Sequence, residues 1–311
     1  MGAFEPAYIK NAHTGVLESR AKQAHQLMEV CELCPRRCGV DRTAGELGVC
    51  RTAENAWVSS FSPHFGEESP LVGTHGSGTI FFTHCNLLCN FCQNFDISHE
   101  GQGEPVSDVM LAGMMLQLQD MGCHNINFVT PSHVVPQILG AISIAASKGL
   151  AVPLVYNSGG YDRVDTLNLL EGIFDIYMPD FKFWGEDIAQ TTCDAPDYPE
   201  VARQALKEMH RQVGDLVIDD SGLAERGVLI RHLVLPDGLA GTRQVMRFIA
   251  NNLSDNSYVN IMPQYRPCGR AHAVPGLRLS LSQADYRDAL QAAREEGITR
   301  LDQRRRVFRL W

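Results

Sequence analysis

From residue 78 onward, short continuous apolar runs alternate with longer stretches whose apolar positions recur every three or four residues. The short runs are GTIFFTHC (78–85), NINFVT (125–130), VPLVYN (152–157), IFDIYMPD (173–180), VLIRHLVLP (228–236) and SYVNIM (257–262). Runs of this kind predict strands buried on both faces of a parallel sheet. The intervening stretches predict helices over 108–122, 134–149, 164–172, 198–214, 242–253 and 282–297, with Ser107 and Ser282 placed as N-caps of the first and last. Upstream, GVLESRAKQAHQLMEV (15–30) predicts one more amphipathic helix. Six β/α pairs in succession predict an α/β fold with a parallel sheet and right-handed crossovers. Six pairs suit a (β/α)6 partial TIM-type barrel, two units short of a closed one. The expected division is an N-terminal helix and cysteine-rich extension over 1–75, the barrel core over 76–280, and a C-terminal helix and tail over 281–311. In such sheets chemistry gathers at the C-terminal strand ends.

The composition adds limits to this picture. The 311 residues are 44% hydrophobic and 20% charged, which supplies a large core. The formal charge of −9 is the wrong sign for a nucleic-acid binder. The basic run from Arg304 to Arg306 reads as a solvated tail. No segment reaches the ~18 continuous apolar residues of a membrane helix, and MGAFEPAYIK lacks the layout of a secretory signal. The expected compartment is the cytoplasm, with no membrane or nucleic-acid partner.

The cysteines change the picture most. Ten are present, and in a reducing compartment metal or catalytic use is the expected role. Seven fall in two clusters: Cys31, Cys34, Cys38 and Cys50 in CELCPRRCGVDRTAGELGVC, and Cys85, Cys89 and Cys92 in THCNLLCNFCQN. The second cluster directly follows the first predicted strand. Structural zinc and simple 4Fe–4S carriers take four protein ligands, so three thiolates leave one iron open to an exchangeable ligand. By spacing alone, a zinc knuckle completed by His84 or His99 is the alternative.

C-x3-C-x2-C with an aromatic residue, Phe91, before the last cysteine resembles the signature of the radical S-adenosylmethionine (SAM) superfamily. That resemblance implies a 4Fe–4S cluster on Cys85, Cys89 and Cys92. It also implies SAM bound at the open iron and cleaved reductively to a 5′-deoxyadenosyl radical, in a partial barrel whose cluster loop follows strand one. GSGTIFFTHCNLLCNFCQNFDIS resembles the activating enzymes of glycyl radical enzymes, notably that of pyruvate formate-lyase. NINFVTPSH, EMHRQVG, IRHLVLP and VNIMPQYRPCG resemble the PflX-type branch of that group.

The resemblance implies further site residues. Strand two ends at Thr130 where relatives carry GGE, so Thr130 or backbone carbonyls are expected to meet the SAM amino group. Asn157 and Ser158 are expected near the ribose or carboxylate, although relatives have Asp where Asn157 stands. Asp180 and Lys182, two apart on an extended segment, share a side and both can face the mouth; the alternative is a surface ion pair. Arg231 is expected to clamp a carboxylate, with His232 pointing away. Tyr265 is expected at the adenine. Cys268 at the mouth is a candidate hydrogen donor, metal ligand or plain buried thiol, while Cys123 and Cys193 read as buried and inert.

The N-terminal four cysteines form a complete ligand set, expected to hold zinc or a second iron–sulfur cluster. The implied partners are a low-potential donor such as flavodoxin or ferredoxin, and a glycyl radical enzyme. A small-molecule or peptide substrate, and a non-catalytic metal scaffold, are the competing functions. Iron with an open site implies anaerobic chemistry.

Overall fold

The computed structural model describes residues 4–303, so the basic run at 304–306 lies outside the described residues. A central mixed sheet runs through an α/β molecule. Its strands are β1 (Ala56–His64), β2 (Ser77–Phe82), β3 (Glu104–Val106), β4 (Ile126–Val129), β5 (Leu154–Asn157), β6 (Ile176–Tyr177), β7 (Val217–Ile218), β8 (Ala224–Leu233) and β9 (Tyr258–Met262). The strands β2, β4, β5, β6, β8 and β9 are mutually parallel and neighbour one another in chain order. These are the six runs read from the sequence. An unreversed order means that the chain winds in one direction only, unlike a doubly wound sheet, whose order reverses at a switch point.

Three strands were not foreseen. β1 pairs antiparallel with β2, β3 with β1, and β7 with β8. β1 lies between β3 and β2 and runs antiparallel to β2, so residues 65–76 return at the N-terminal ends of the parallel strands, the end opposite the cysteine loop.

The helices are α1 (Ala7–His13), α2 (Val16–Gln26), α3 (Ser69–Val72), α4 (Phe95–Ser98), α5 (Asp108–Asp120), α6 (Val135–Ser147), α7 (Val164–Asn168), α8 (Glu186–Cys193), α9 (Tyr198–Val213), α10 (Thr242–Asn252) and α11 (Gln283–Glu295). Ser107 caps α5 by accepting from Met110 N, and Ser282 forms a capping box with Asp285 on α11. Among the described residues, no helix is long and apolar enough to cross a membrane.

Side-chain alternation divides the sheet. Ile80, Phe128, Tyr156, Tyr177 and Val228 lie in one register row and pack with the helices in the main core. On the other face Val155, Ile176, Met178 and Leu229 form a smaller core with Leu71 of α3. Gly227 sits where a Cβ would lie 2.3 Å from the Asp215 carbonyl, so only glycine lets β7 approach β8. That second face carries the polar residues of the site.

Candidate active site

A cavity of about 260 Å³ opens at the C-terminal ends of the parallel strands. Phe81 of β2, Thr130 after β4, Asn157 of β5, Asp180 after β6, Arg231 of β8 and Met262 of β9 all line it. Cys85, Cys89, Phe91 and Cys92, from the loop after β2, form its wall. The three thiols and the six strand ends therefore meet at one place.

The cysteine loop is shaped by backbone that most residues avoid. His84 (φ 64°) and Leu88 (φ 55°) have left-handed backbone, as does Thr130 (φ 63°) across the cavity. A β-branched residue in that region is strained, and such strain gathers at functional sites. Asn86 Nδ2 donates to Tyr161 O at 2.8 Å, and Asn90 N to Thr192 O at 2.9 Å. Phe91 is buried and packs edge-on against Phe183 at 5.8 Å. Burial pushes the Cys85 thiol up to about 12 and also raises Cys92. Cys89 is raised by its contact with Cys193 and then by burial. Such thiols give up their protons to a bound metal rather than to water.

Asp180 is the electrostatic hub of the cavity. Its Oδ1 accepts from Arg231 Nε at 2.9 Å, and its Oδ2 pairs with Lys182 Nζ. Burial works to raise the Asp180 carboxyl, but the two cations hold it below the ordinary range. Burial likewise opposes the charge on Lys182, and Asp180 overcomes it and raises the ammonium. Arg231 also lies 3.9 Å from Glu67, which reaches in from the strand-bottom loop. His232 faces away, with Nδ1 2.6 Å from Phe181 O and Nε2 2.9 Å from Thr242 Oγ1.

The turn after β5 is tightly held. Gly160 stands where a Cβ would meet the Asp180 carbonyl at 2.1 Å. This close approach lets the Tyr198 hydroxyl share its proton between the carbonyls of Gly159 and Asp180, each at 3.0 Å, while accepting from Lys182 N at 2.8 Å. Ser158 lines the cavity and donates to Asp162 Oδ2 at 2.7 Å. Asn157 Oδ1 is buried without a partner, as is Gln264 Oε1, and both residues line the cavity. Unpartnered buried acceptors call for a donor-bearing ligand or water.

Tyr265 is placed differently from the expectation. Its hydroxyl donates to Leu277 O at 2.6 Å and its ring packs on Phe91, so Gln264 rather than Tyr265 lines the cavity. Cys268 is half-buried and outside the lining.

The N-terminal cysteines lie together. Cys31, Cys34, Cys38 and Cys50 line a small second pocket with Arg42, Gly48 and His133. Arg42 is only 1% exposed; it donates to His133 O at 2.8 Å and to Ala53 O, with Nη1 3.9 Å from Cys31 Sγ. His133 Nε2 lies 2.9 Å from Thr83 O. A carbonyl only accepts, so Nε2 carries the proton and Nδ1 presents a lone pair. That Nδ1 is buried and without a partner. Burial, then the charge of Arg42, lowers His133 to about 3, which keeps the ring neutral. Among the described residues, no three His, Cys, Asp or Glu side chains converge around a single ion position.

Sequence reasoning missed Cys193, Arg36, Gln264, Glu67 and His133. Cys193 is buried as expected, yet its sulfur lies 3.3 Å from Cys89 Sγ. Arg36, inside the first cysteine cluster, donates from Nε to Asn86 O at 2.9 Å and from Nη2 to Leu87 O at 3.2 Å and Cys193 O at 2.7 Å. Its Nη1 reaches Asp194 O. The CPRRC spacing places Arg36 beside the ligands, the one signal that could have drawn notice; the other contacts join segments far apart in sequence.

No family model matches the chain. A radical SAM methyltransferase from Sphaerobacter thermophilus superposes with a TM-score of 0.48 at 14% identity, covering 73% of this chain. The match spans 66% of the methyltransferase, just under two thirds of its length. Over 299 residues, 94% of this chain and 81% of the relative, the sequence is 32% identical to the uncharacterized protein MJ0674 of Methanocaldococcus jannaschii. The chain belongs to the family of that archaeal protein.

Proposed function

We propose that this protein is a radical SAM enzyme. The observation that carries the reading is Cys85, Cys89 and Cys92 facing a cavity lined by all six parallel strand ends. The same convergence, with the unreversed strand order, supports a partial barrel. The residues fit a 4Fe–4S cluster better than a zinc knuckle. Three irons each take one thiolate, so the sulfurs need not close around a single ion. When bound, the cluster supplies the electron that splits SAM into methionine and a 5′-deoxyadenosyl radical.

The chain's own residues orient and enclose. Asp180 fixes Lys182 and Arg231 at the cavity, where their N–H groups offer donors to a carboxylate, while Asp180 and Glu67 offset their charge. Asn157 Oδ1 and Gln264 Oε1 offer acceptors to an amino or hydroxyl group. Thr130 holds the backbone after β4 against Asn157 by donating its N–H to Asn157 O at 2.9 Å. Phe91, Leu87 and Met262 exclude water. The N-terminal pocket reads as a second metal centre, zinc or iron–sulfur, supported by its four thiols; the same spread of donors favours iron–sulfur there, since zinc requires the thiols to close around one ion. A low-potential donor of the flavodoxin or ferredoxin kind is required as electron source. The cysteine-loop resemblance supports hydrogen abstraction from a glycine of a glycyl radical enzyme.

The test is anaerobic reconstitution with iron and sulfide, then dithionite and SAM, assayed for 5′-deoxyadenosine. The wild type is expected to form it and Cys89→Ala to form none. A reducible cluster that neither binds nor cleaves SAM overturns the reading in favour of a scaffold. A glycyl doublet in the EPR spectrum of a co-incubated glycyl radical enzyme supports the activase role, and its absence across such partners removes it.

A further inference from the structure

Cys193 ends α8, and that end is fastened to the cysteine loop. Asn90 N and Nδ2 donate to Thr192 O at 2.9 Å and Thr191 O at 3.3 Å, and Arg36 holds the Cys193 carbonyl. These bonds bring Cys193 Sγ to 3.3 Å from Cys89 Sγ. The two sulfurs are unequal in access. Cys89 lines the cavity, whereas Cys193 stands behind it, 4% exposed and outside the lining. An accessible thiol with a second thiol poised behind it is the arrangement of an attacked and a resolving cysteine.

We infer that Cys89 and Cys193 form a reversible thiol–disulfide site, oxidised by a small disulfide such as oxidised glutathione, that withdraws one thiolate from the cysteine loop. The consequence for the cluster rests on the function proposed above; the sulfur chemistry does not. Cys89 passes its proton to the Cys193 sulfur 3.3 Å away as it attacks the small disulfide through the cavity; the expelled thiolate takes up that proton and leaves as a thiol, and Cys89 is left as a mixed disulfide. The Cys193 thiolate then attacks the Cys89 sulfur and expels the second thiol. Two protein thiols become one disulfide and one small disulfide becomes two thiols, so no other oxidant is needed. The sulfurs must close from 3.3 Å to about 2.05 Å. A small dithiol reverses the exchange.

The test uses the full chain freed of iron, held with oxidised glutathione, alkylated and digested without reduction. The expected product is a Cys89–Cys193 linked peptide. Iron uptake on reconstitution then falls by the share of the Cys85–Cys89–Cys92 site, and dithiothreitol restores it. In Cys193→Ala the reaction stops at glutathione on Cys89; Cys193→Ser serves if the alanine variant does not fold. Cys89 linked to Cys85 or Cys92, or Cys193 alkylated in the treated protein, overturns the inference. A linked peptide from a protein whose reduced form takes up no iron at this loop upholds the disulfide and sinks the proposed function. Full iron uptake and SAM cleavage with no link does the reverse.

Discussion

Arg231 and His232 are neighbours on β8 that face opposite ways, one into the cavity and one into the helix layer. Strand alternation makes that split legible, as it does the shared side of Asp180 and Lys182. The partners were not legible, because Thr242 and Phe181 lie far from His232 in sequence. Burial lowers His232 to about 4 from an ordinary 6.5. The sign follows from the base being held neutral. Above pH 6.5 neither state carries the proton, and the stability from its two hydrogen bonds is fully present. Between 6.5 and 4 the unfolded chain takes up a proton that the folded one refuses, so stability falls as pH falls. The loss approaches about 3 kcal/mol. In urea unfolding free energies measured from pH 7 to 4, His232 should therefore contribute nearly one proton to the slope, beside the contribution of His133, which is lowered to about 3. His232→Gln, which keeps a donor and an acceptor, should reduce that slope by nearly one proton; an unchanged slope would mean that other groups carry it.

The long helices and the six parallel strands were readable because their periods persist over many residues. β1 was not, since its burial alternates irregularly and it contains Pro63, unlike the continuous apolar runs of the buried strands. α8 was missed for a different reason: eight largely polar residues carry little periodic signal. Yet α8 brings Cys193 to the cysteine loop, and Arg36 joins the two by spreading one guanidinium over four carbonyls. Hydrogen bonds from a charged donor contribute about 1.5–3 kcal/mol each. Arg36→Ala should free both segments at once. Amide exchange of Asn90, whose N–H bonds Thr192 O, should rise at least about tenfold in hydrogen-exchange mass spectrometry. Exchange in α5 and α6 should stay as it was. Equal acceleration across the chain would show that Arg36 supports global stability and not this junction.

Across the whole molecule, the two cysteine groups lie at the same end of the sheet. The first sits in residues 31–50, a stretch without helix or strand. It is docked through Leu33 O, which accepts from Thr166 Oγ1 at 2.7 Å, and through Glu32 with Arg163. Unstructured stretches of that length are uncommon in a compact domain unless something else organises them. Arg42 supports the metal proposed for this pocket as that organiser. Its guanidinium is buried against carbonyl oxygens and the Cys31 sulfur, while burial holds the Cys34 thiol protonated at up to about 12. The contacts of Arg42 are carbonyl oxygens and one sulfur, with no carboxylate ion pair among the described residues, and a buried cation left unpaired costs several kcal/mol. A metal that strips the thiol protons turns the same pocket into an anionic one and reverses that cost. Cys34→Ala should therefore lose the metal proposed for the N-terminal pocket, read by elemental analysis, and lower the thermal midpoint by several degrees. Cys89→Ala should keep both, because its thiol faces the other cavity. The retained element decides between zinc and iron. Loss of both metals in Cys34→Ala would mean that the N-terminal centre, acting through Arg36, is a precondition for loading the loop at 85–92. An unchanged midpoint with no metal in the wild type would show that Arg42 is balanced by protein alone.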